Sequence, residues 1–287
     1  MRASAGAKLE PVNIDHDSIC AALRQTACEE ILPLWRNLEA HQVELKRADD
    51  AVTDADRNCE RVLGARLAAL LPGSRVVGEE AVHADPSLLQ ALQGDAPVWI
   101  LDPVDGTNNF AAGEGPFAVM AALVLRGETL GAWIHDPVRE SMLRAERGAG
   151  AYLDDTRLTL SAHAGPLDSI EGALSGKYLP EAMRPAARAG AARLGRTWAS
   201  GCAAFDYLTL VTGGCQFLFY YRTLAWDHAP GVLIANEAGA VTGRYDGSPY
   251  RPASEATGLL CACDQATWNT VRDTLLPDQP HTGGGQP

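Results

Sequence analysis

Asp102 and Asp105 are the residues whose type and spacing point most directly to chemistry. They follow the apolar run 98–101, which has the composition of a buried strand. If that strand ends between the two aspartates, both carboxylates can face one cavity. Pro103 restricts the backbone and leaves the carbonyl of Val104 free as a further oxygen. Hard divalent cations take such oxygens as ligands, so the stretch predicts a metal site.

The next residues are suited to holding an anion. Gly106 and Thr107 lie at a predicted helix start, where backbone amides have no hydrogen-bond partner inside the helix. Such amides favour a bound anion, for example a phosphate. The alternative is an ordinary helix N-terminus with an aspartate cap. That alternative does not explain why two carboxylates directly follow a predicted buried strand.

Three more acidic segments stand at predicted junctions of strands and helices. Residues 50–56 carry several aspartates around the start of a predicted helix, which usually only complements the helix dipole. Glu79 ends a short predicted strand, where ligands collect in α/β proteins, and is a candidate third carboxylate. Asp227 precedes a further predicted helix, with Pro230 in the first turn.

Composition and charge restrict the classes of protein that this chain can be. The 287 residues are 46% hydrophobic and 21% charged, as in ordinary globular proteins, and the formal net charge is −12. This charge, without clusters of Lys or Arg, argues against a nucleic-acid or anionic-membrane surface. An acidic protein that binds a phosphorylated ligand needs metal ions between the negative charges.

The cysteines and the apolar runs bear on the compartment. The seven cysteines are scattered without a C-x-x-C pair, as is typical of reduced thiols in a cytoplasmic protein. No apolar run reaches the length of a membrane span, and residues 1–17 lack the apolar region of a signal peptide. We therefore expect a cytoplasmic protein.

Hydrophobic periodicity predicts an α/β chain that places the acidic residues at the ends of its elements. The predicted helices cover residues 14–42, 54–71, 181–194, 201–212, 227–239 and 267–276. The predicted strands cover residues 75–80, 98–101, 117–125, 129–134, 141–145, 151–153, 172–175, 215–221 and 259–262, with another near 241. We expect a single domain over 1–287 with two lobes, about 13–162 and 166–276, and a disordered tail at 277–287.

Four segments together resemble one family. Residues 99–110 (WILDPVDGTNNF) and 226–240 (WDHAPGVLIANEAGA) are similar to the paired motifs of the inositol monophosphatase family of metal-dependent, lithium-sensitive phosphatases. Residues 50–56 (DAVTDAD) resemble the family's D-x-V-T-x-x-D segment, and residues 78–80 (GEE) resemble its G-E-E. The resemblance implies a layered α-β-α-β-α sandwich of the sugar-phosphatase type, and a homodimer, which is common in the family.

The resemblance also implies a magnesium-dependent active site with two to three Mg²⁺ ions. The implied metal ligands are Glu79, Asp102, the carbonyl of Val104, Asp105 and Asp227. The implied catalytic residues are Asp56, Thr107 and Glu79. Asp56 and Thr107 would orient the attacking water and help deprotonate it, and no covalent phosphoenzyme would form.

A small phosphorylated substrate is implied in the same way. The amides of Gly106 and Thr107 would hold the phosphoryl oxygens. The other implied substrate contacts are Asn108, Gly201, Cys202, Ala203, Tyr220, Arg222 and Asp227. Neither a nucleic-acid polymer nor a membrane is expected as a partner.

Two departures from the family pattern affect the substrate. Gly201-Cys202 stands where many inositol phosphatases have Gly-Ser. Tyr220 stands seven residues before Asp227, where those enzymes have an acid that contacts inositol hydroxyls. Arg222 and His228 favour a more anionic leaving group, with a second phosphate or a carboxylate. For His228, a partly buried, hydrogen-bonded histidine is the commoner alternative.

The sequence therefore predicts Mg²⁺-dependent hydrolysis of a small phosphate monoester, such as an inositol monophosphate or a sugar phosphate. Other substrates for the same site are a 3′-phosphonucleotide, histidinol phosphate and fructose bisphosphate. A non-catalytic metal-binding relative is a different class, which the intact set of acidic residues disfavours. A dinucleotide-dependent oxidoreductase is disfavoured because residues 148–150 (GAG) lack the third glycine of its fingerprint. Lys46, a lone lysine on a loop, is expected to be exposed.

Overall fold

The computed structural model describes residues 12–47 and 50–277. Within these ranges the α-helices are α1 (His16–Thr26), α2 (Asp54–Leu70), α3 (Glu79–Ala84), α4 (Thr107–Ala111), α5 (Arg184–Ala191), α6 (Ala203–Val211), α7 (Ala225–Glu237) and α8 (Gln265–Leu275). Short π or 3-10 segments occur at Ala27–Ile31, Ala40–Gln42, Pro86–Gln93, Leu167–Ser169 and Glu181–Met183. From residue 278 onwards, the predicted disordered tail lies outside the described residues.

The strands form a hairpin and two larger sheets. The hairpin pairs β1 (Val43–Arg47) antiparallel with β2 (Asp50–Thr53). The seven-stranded sheet contains, in spatial order, β3 (Arg75–Gly78), β4 (Val98–Asp105), β5 (Ala118–Leu125), β6 (Glu128–Asp136), β7 (Ser141–Glu146), β8 (Gly150–Leu153) and β9 (Thr156–Leu158). The five-stranded sheet contains β10 (Gly172–Ser175), β11 (Thr197–Trp198), β12 (Phe217–Tyr220), β13 (Val241–Gly243) and β14 (Leu259–Ala262), in the order β11-β10-β12-β14-β13.

Parallel pairing of β3 with β4 brings two acidic residues to one edge of the larger sheet. Gly78 lies opposite Leu101 in this pair. Because the two strands run in the same direction, the residues that follow, Glu79 and Asp102, lie at the same edge. The remaining neighbours in this sheet are antiparallel.

Helices α1 and α2 cover the outer face of the seven-stranded sheet. One buried cluster joins Leu23 of α1 and Leu63 of α2 to Trp99, Leu101 and Trp133 of the strands. Apolar residues at helical spacing on α1 and α2 therefore bury one face of each helix, as periodicity predicts.

Helices α6 and α7 lie between the two sheets. One buried cluster contains Tyr207 of α6 and Ile234 of α7 together with Met120 of the larger sheet and Leu218 of the smaller one. On the far side of the smaller sheet, a separate cluster joins α5 and α8 to β12 and β14. The layers are thus α-β-α-β-α, which confirms the predicted sandwich.

The first helical region is shorter than the predicted span 14–42. Helix α1 ends at Thr26, and a π-helical turn, Ala27–Ile31, follows it. Pro33 has no amide hydrogen, and its ring conflicts with a helical carbonyl four residues earlier, so it disfavours continuation of a regular helix. Arg36 then has a left-handed backbone with φ of 63°.

The predicted lobe boundary near residues 163–165 falls between β9 and β10, and therefore between the two sheets. The division of the domain into two lobes stays a prediction. Among the described residues, no helix combines the length and apolar character needed to cross a membrane.

Candidate active site

A bulge in β4 turns both central aspartates toward one cavity. The strand continues to Asp105, so the prediction that it ends between Asp102 and Asp105 is wrong. Asp102 lies opposite Met120 and Asp105 opposite Ala118, so β4 has one more residue than β5 between these pairs. In a regular strand, side chains three residues apart point to opposite faces. The extra residue shifts the alternation of side chains by one, so both carboxylates point to the same side of the sheet. Pro103, which has no amide hydrogen to donate, lies within this bulge.

The turn after β4 requires glycine. Gly106 has a left-handed backbone with φ of 88° and ψ of 32°. A Cβ atom at this position would lie 2.8 Å from the carbonyl oxygen of Pro116. The chain passes through this turn directly into α4, where the hydroxyl of Thr107 lies 2.8 Å from the carbonyl oxygen of Val104.

Asp56 is held at the start of α2 by a capping box. Its Oδ2 accepts hydrogen bonds from the amide and the hydroxyl of Thr53, at 2.7 and 2.6 Å. Its Oδ1 lies 3.1 Å from Oγ1 of Thr107. Complete burial raises the pKa of Asp56 to about 6, although the hydrogen bonds from Thr53 oppose the shift. Asp56 is therefore a stronger base than an exposed aspartate and is still ionised at neutral pH.

Glu79 begins α3 and is paired with a buried lysine. Nζ of Lys46 lies 3.0 Å from Oε1 of Glu79 and also contacts Oε1 of Glu80. The Lys46 side chain is 5% exposed, so the prediction of an exposed lysine is wrong. Burial disfavours its charge, but the carboxylates of Glu79 and Glu80 outweigh burial and raise the pKa of Lys46. One positive charge therefore already stands beside Glu79.

A cavity of about 250 Å³ brings most of the predicted residues together. It is lined by all the predicted metal ligands, namely Glu79, Asp102, Val104, Asp105 and Asp227. It is also lined by the predicted substrate contacts Gly106, Thr107, Asn108, Gly201, Cys202, Ala203, Tyr220 and Arg222. Asp56 is not part of the lining and connects to the cavity through the hydroxyl of Thr107.

The carboxylates of this cavity repel one another in a buried setting. Burial raises the pKa of Asp102 well above its usual value, and the charges of Glu79 and Asp105 raise it further. Burial also raises the pKa of Asp105, although hydrogen bonds from the Ala204 amide and the Cys202 thiol oppose the shift. A bound cation would relieve this repulsion.

Asp102 provides the clearest test of whether the site fits a metal ion. Its Oδ1 atom is buried and has no hydrogen-bond partner. A buried carboxylate oxygen without a partner is costly, and a hard divalent cation is a suitable partner for this set of oxygens. Over residues 12–47 and 50–277, no three His, Cys, Asp or Glu side chains already form a closed metal cluster. The donor set fits a cation, and the carboxylates would close around it on binding.

Asp206 lines the same cavity, although the sequence predicts no acid on this side. It lies in the first turn of α6, and its Oδ2 accepts a hydrogen bond of 2.8 Å from the Tyr220 hydroxyl. Burial raises the pKa of Asp206 to about 6. Tyr220, which stands where the family has an acid, thus holds an acid from another element. One signal in the sequence could have identified Asp206, because it is the one charged residue in the otherwise largely apolar segment 203–211 (AAFDYLTLV).

His228 is a buried, hydrogen-bonded histidine and not a positively charged contact for the leaving group. Its Nδ1 lies 3.1 Å from the hydroxyl of Tyr207, and its Nε2 lies 3.2 Å from the carbonyl oxygen of Arg222. Burial lowers the pKa of His228 to about 3, so the ring is neutral. With both nitrogens bonded inside the protein, His228 offers no charge to a ligand. Its contribution to the site is to hold the backbone at Arg222.

Comparison with known proteins gives one consistent result. A model of the inositol monophosphatase family matches residues 15–276. An inositol-1-monophosphatase of Rhizobium meliloti (strain 1021) is 35% identical over 230 residues, which cover 77% of this chain and 81% of the relative. The Nus factor SuhB of Pseudomonas aeruginosa is 30% identical over 270 residues, covering 91% and 97%.

The same result holds for three-dimensional structure. A solved IMPase of Thermotoga maritima matches with a TM-score of 0.74 at 25% identity, over 90% of this chain and 97% of that one. The sequence motifs, the layered fold and the acidic cavity agree with these matches. The chain therefore belongs to the inositol monophosphatase family and is a phosphoric monoester hydrolase.

Proposed function

We propose that the chain hydrolyses a small phosphate monoester in a Mg²⁺-dependent reaction. The observation that carries this proposal is the buried Oδ1 atom of Asp102, which lacks a hydrogen-bond partner in a cavity that Glu79, Asp105 and Asp227 also line. A phosphate monoester is largely a dianion at neutral pH, so these carboxylates alone would repel it. Cations between the carboxylates and the phosphate remove that conflict.

The residues that would hold Mg²⁺ are Glu79, Asp102, the Val104 carbonyl, Asp105 and Asp227. When bound, the ions supply positive charge to the phosphoryl oxygens and favour ionisation of a water molecule. The orientation of Asp105 is supported by two donors to its Oδ2, the Ala204 amide at 2.6 Å and the Cys202 thiol at 3.0 Å. These contacts hold the carboxylate in place before any ligand arrives.

Thr107 and Asp56 provide a path for the proton of the attacking water. The Thr107 hydroxyl has one hydrogen and two acceptors within reach, the Val104 carbonyl at 2.8 Å and Asp56 Oδ1 at 3.1 Å. When the hydrogen points to Asp56, the Thr107 oxygen can accept a hydrogen bond from a water in the cavity. The pair would thus orient that water and move its proton toward a buried base.

The phosphoryl group would lie at the start of α4. Gly106 and Thr107 line the cavity there, and their amides would donate to the phosphoryl oxygens. The water oxygen would form the new bond to phosphorus while the bond to the leaving oxygen breaks. The leaving oxygen takes up a proton, and the products are an alcohol and inorganic phosphate.

A non-catalytic role is the competing proposal, because the Pseudomonas aeruginosa relative is named a Nus factor. The contact between the Thr107 hydroxyl and the buried base Asp56 favours hydrolysis over that alternative, because a binding role alone does not need a base beside the cavity. The unpaired oxygen of Asp102 is costly in a buried setting, and it supports the binding of a cation that hydrolysis requires.

The direct experiment is a phosphate-release panel. We expect the purified protein to release phosphate from at least one of inositol 1-phosphate, glycerol 2-phosphate, fructose 1,6-bisphosphate, histidinol phosphate and 3′-phosphoadenosine 5′-phosphate when Mg²⁺ is present. Removal of Mg²⁺ with EDTA should abolish the release, and added Mg²⁺ should restore it. No release from any member, or release that EDTA leaves unchanged, would contradict the proposal.

The metal-free protein is expected to lose stability as the pH rises from 5 to 8. Burial raises the pKa of Asp56 and Asp206 to about 6, and it raises the pKa of Glu79 and Asp102 as well. Acids with a raised folded pKa bind more protons when folded, so their contribution is complete below the unfolded value of about 4. That contribution is lost as the pH rises from the unfolded values to the folded ones, up to about 6 for Asp56 and Asp206 and about 8 for Glu79. His228 opposes part of this loss below pH 6.5, because burial lowers its pKa to about 3 and the unfolded state binds the proton instead.

The measurement is the melting temperature in EDTA and in Mg²⁺ at pH 5 and pH 8. In EDTA we expect the melting temperature at pH 8 to be lower than at pH 5 by several degrees, on the order of 1–2 kcal/mol of unfolding free energy. Mg²⁺ should raise it at pH 8 and have less effect at pH 5, where Glu79, whose pKa is raised to about 8, holds a proton. A melting temperature in EDTA that rises with pH would refute this prediction, as would a lack of response to Mg²⁺ at pH 8.

A further inference from the structure

The cavity carries basic as well as acidic residues. Arg222 follows β12, while Lys177 and Tyr178 follow β10, and all three line the cavity. Strands β10 and β12 are parallel neighbours, with Ser175 opposite Tyr220. Both segments therefore leave the five-stranded sheet at the same edge. These two segments, Lys177–Tyr178 and Arg222, lie far in sequence from the carboxylates of residues 79–105.

The guanidinium of Arg222 is held by an aromatic ring. Its Cζ atom lies 3.9 Å from the centroid of the Tyr178 ring. Stacking on a ring fixes the plane of a guanidinium and leaves its N–H groups free to donate at the edge. Within the described residues, Arg222 forms no ion pair with an acidic side chain. An oriented cation at a cavity wall is suited to an anionic ligand.

The backbone of Arg222 is fixed as well. His228 Nε2 donates to the Arg222 carbonyl oxygen at 3.2 Å, which leaves Nδ1 to accept from the Tyr207 hydroxyl at 3.1 Å. Both Tyr207 and His228 are buried. Arg222 is thus anchored at two places, by its carbonyl and by its guanidinium. Such anchoring reduces the entropy that the side chain would lose on binding a ligand.

We propose that Arg222 binds an anionic substituent of the leaving group. The favoured substrates would then be phosphate monoesters whose leaving group carries a second negative charge, a carboxylate or a phosphate. This inference rests on the proposed hydrolysis and adds a substrate class to it. Asp206 lines the same cavity and accepts the hydroxyl of Tyr220 with its Oδ2, and within the described part of the chain it forms no ion pair with Arg222.

The test compares pairs of phosphate monoesters that differ by one additional anionic group. The compound that has this group is called the anionic member of the pair, and the other is called the neutral member. Glycerol 3-phosphate and 3-phosphoglycerate differ by a carboxylate in place of a hydroxymethyl group, and inositol 1-phosphate and inositol 1,4-bisphosphate differ by a phosphate. We expect kcat/KM to be higher for the anionic member of at least one pair, by about 10-fold, as for a hydrogen bond to a charged group. The pair in which the anionic member has the higher kcat/KM shows whether Arg222 binds a carboxylate or a phosphate.

The variants assign the preference to Arg222. Arg222→Met should lower kcat/KM for the anionic member by about 10-fold, mainly through KM, and change that of its neutral partner by less than about 3-fold. Arg222→Lys should recover part of the loss, since a charge without the planar fork remains. Arg196→Met is the matched control, because Arg196 also stacks on a ring, Trp198 at 4.9 Å, but does not line the cavity. That control should leave both members unchanged.

Two results would overturn the inference. One is a wild-type protein that favours the neutral member of both pairs. The other is an equal loss on neutral and anionic members in Arg222→Met, which would place Arg222 at the phosphoryl group or in the fold. Either result requires measurable hydrolysis, so both are distinct from failure of the proposed function, in which no member of the pairs releases phosphate.

Discussion

Phosphate release is expected to disappear in Asp102→Asn, with a fall in kcat/KM of at least about 10³-fold. The substitution keeps the size of the side chain and removes the charge that a cation would require. In EDTA the melting temperature should stay the same or rise, because a buried carboxylate with an unpaired oxygen is replaced by a neutral amide. The rise of melting temperature with Mg²⁺ at pH 8 should be reduced.

The control for this variant is Asp95→Asn. The Asp95 side chain is 87% exposed and pairs with Arg126 on the surface, so its loss should change neither turnover nor the response to Mg²⁺. Unchanged turnover in Asp102→Asn would reject the metal assignment. A variant that loses turnover and also melts well below wild type in EDTA would instead indicate a structural role for Asp102.

Asp56→Asn is expected to lower kcat by about 10²–10⁴-fold while KM changes little. The asparagine carbonyl can still accept the two hydrogen bonds from Thr53, which places its amide nitrogen toward Thr107. That nitrogen can only donate a hydrogen, so Thr107 loses the base behind it. Because Asp56 is outside the proposed metal ligands, the rise of melting temperature with Mg²⁺ should persist. This separates the variant from Asp102→Asn.

Two substitutions of Thr107 complete the experiment on this proton path. Thr107→Val removes the hydroxyl at nearly constant shape, and it should reproduce the loss of kcat seen in Asp56→Asn. Thr107→Ser keeps the hydroxyl, and it should retain most of the activity. If Asp56→Asn keeps wild-type kcat, or if it loses the response to Mg²⁺, then Asp56 is not the base of this path.

The acidic half of the site could be predicted from sequence because each member follows a local pattern. In the sequence, Asp102 and Asp105 follow an apolar run, Glu79 ends a predicted strand, and Asp227 precedes a predicted helix. In the structure the bounds differ by a few residues, because Asp102 and Asp105 lie within β4, Glu79 begins α3, and Asp227 lies in the first turn of α7. Parallel pairing of β3 and β4 then places Glu79 and Asp102 at one edge, which the order of elements already favours. The bulge was not predicted, since Pro103 indicates a strand end and only the pairing with β5 carries the strand further.

The other half of the site depends on contacts between distant segments. Lys177 and Tyr178 reach the cavity through the pairing of β10 with β12, and no local pattern marks them. The ion pair of Lys46 with Glu79 and the hydrogen bond of His228 with Tyr207 join residues that are more than 20 positions apart in the chain. Periodicity reports which face of an element is apolar, but it does not report which polar groups meet across elements.

The two halves of the cavity also differ in how freely they can vary. The spacing of Asp102 and Asp105 is built into a strand that has neighbours on both sides, β3 and β5, so a change there disturbs the core of the sheet. Arg222 and Tyr178 lie beyond the ends of β12 and β10, where loops tolerate substitution and insertion. If Arg222 selects the leaving group as proposed, a chain of this design can acquire a new substrate through changes in two loops while its hydrolytic residues stay the same.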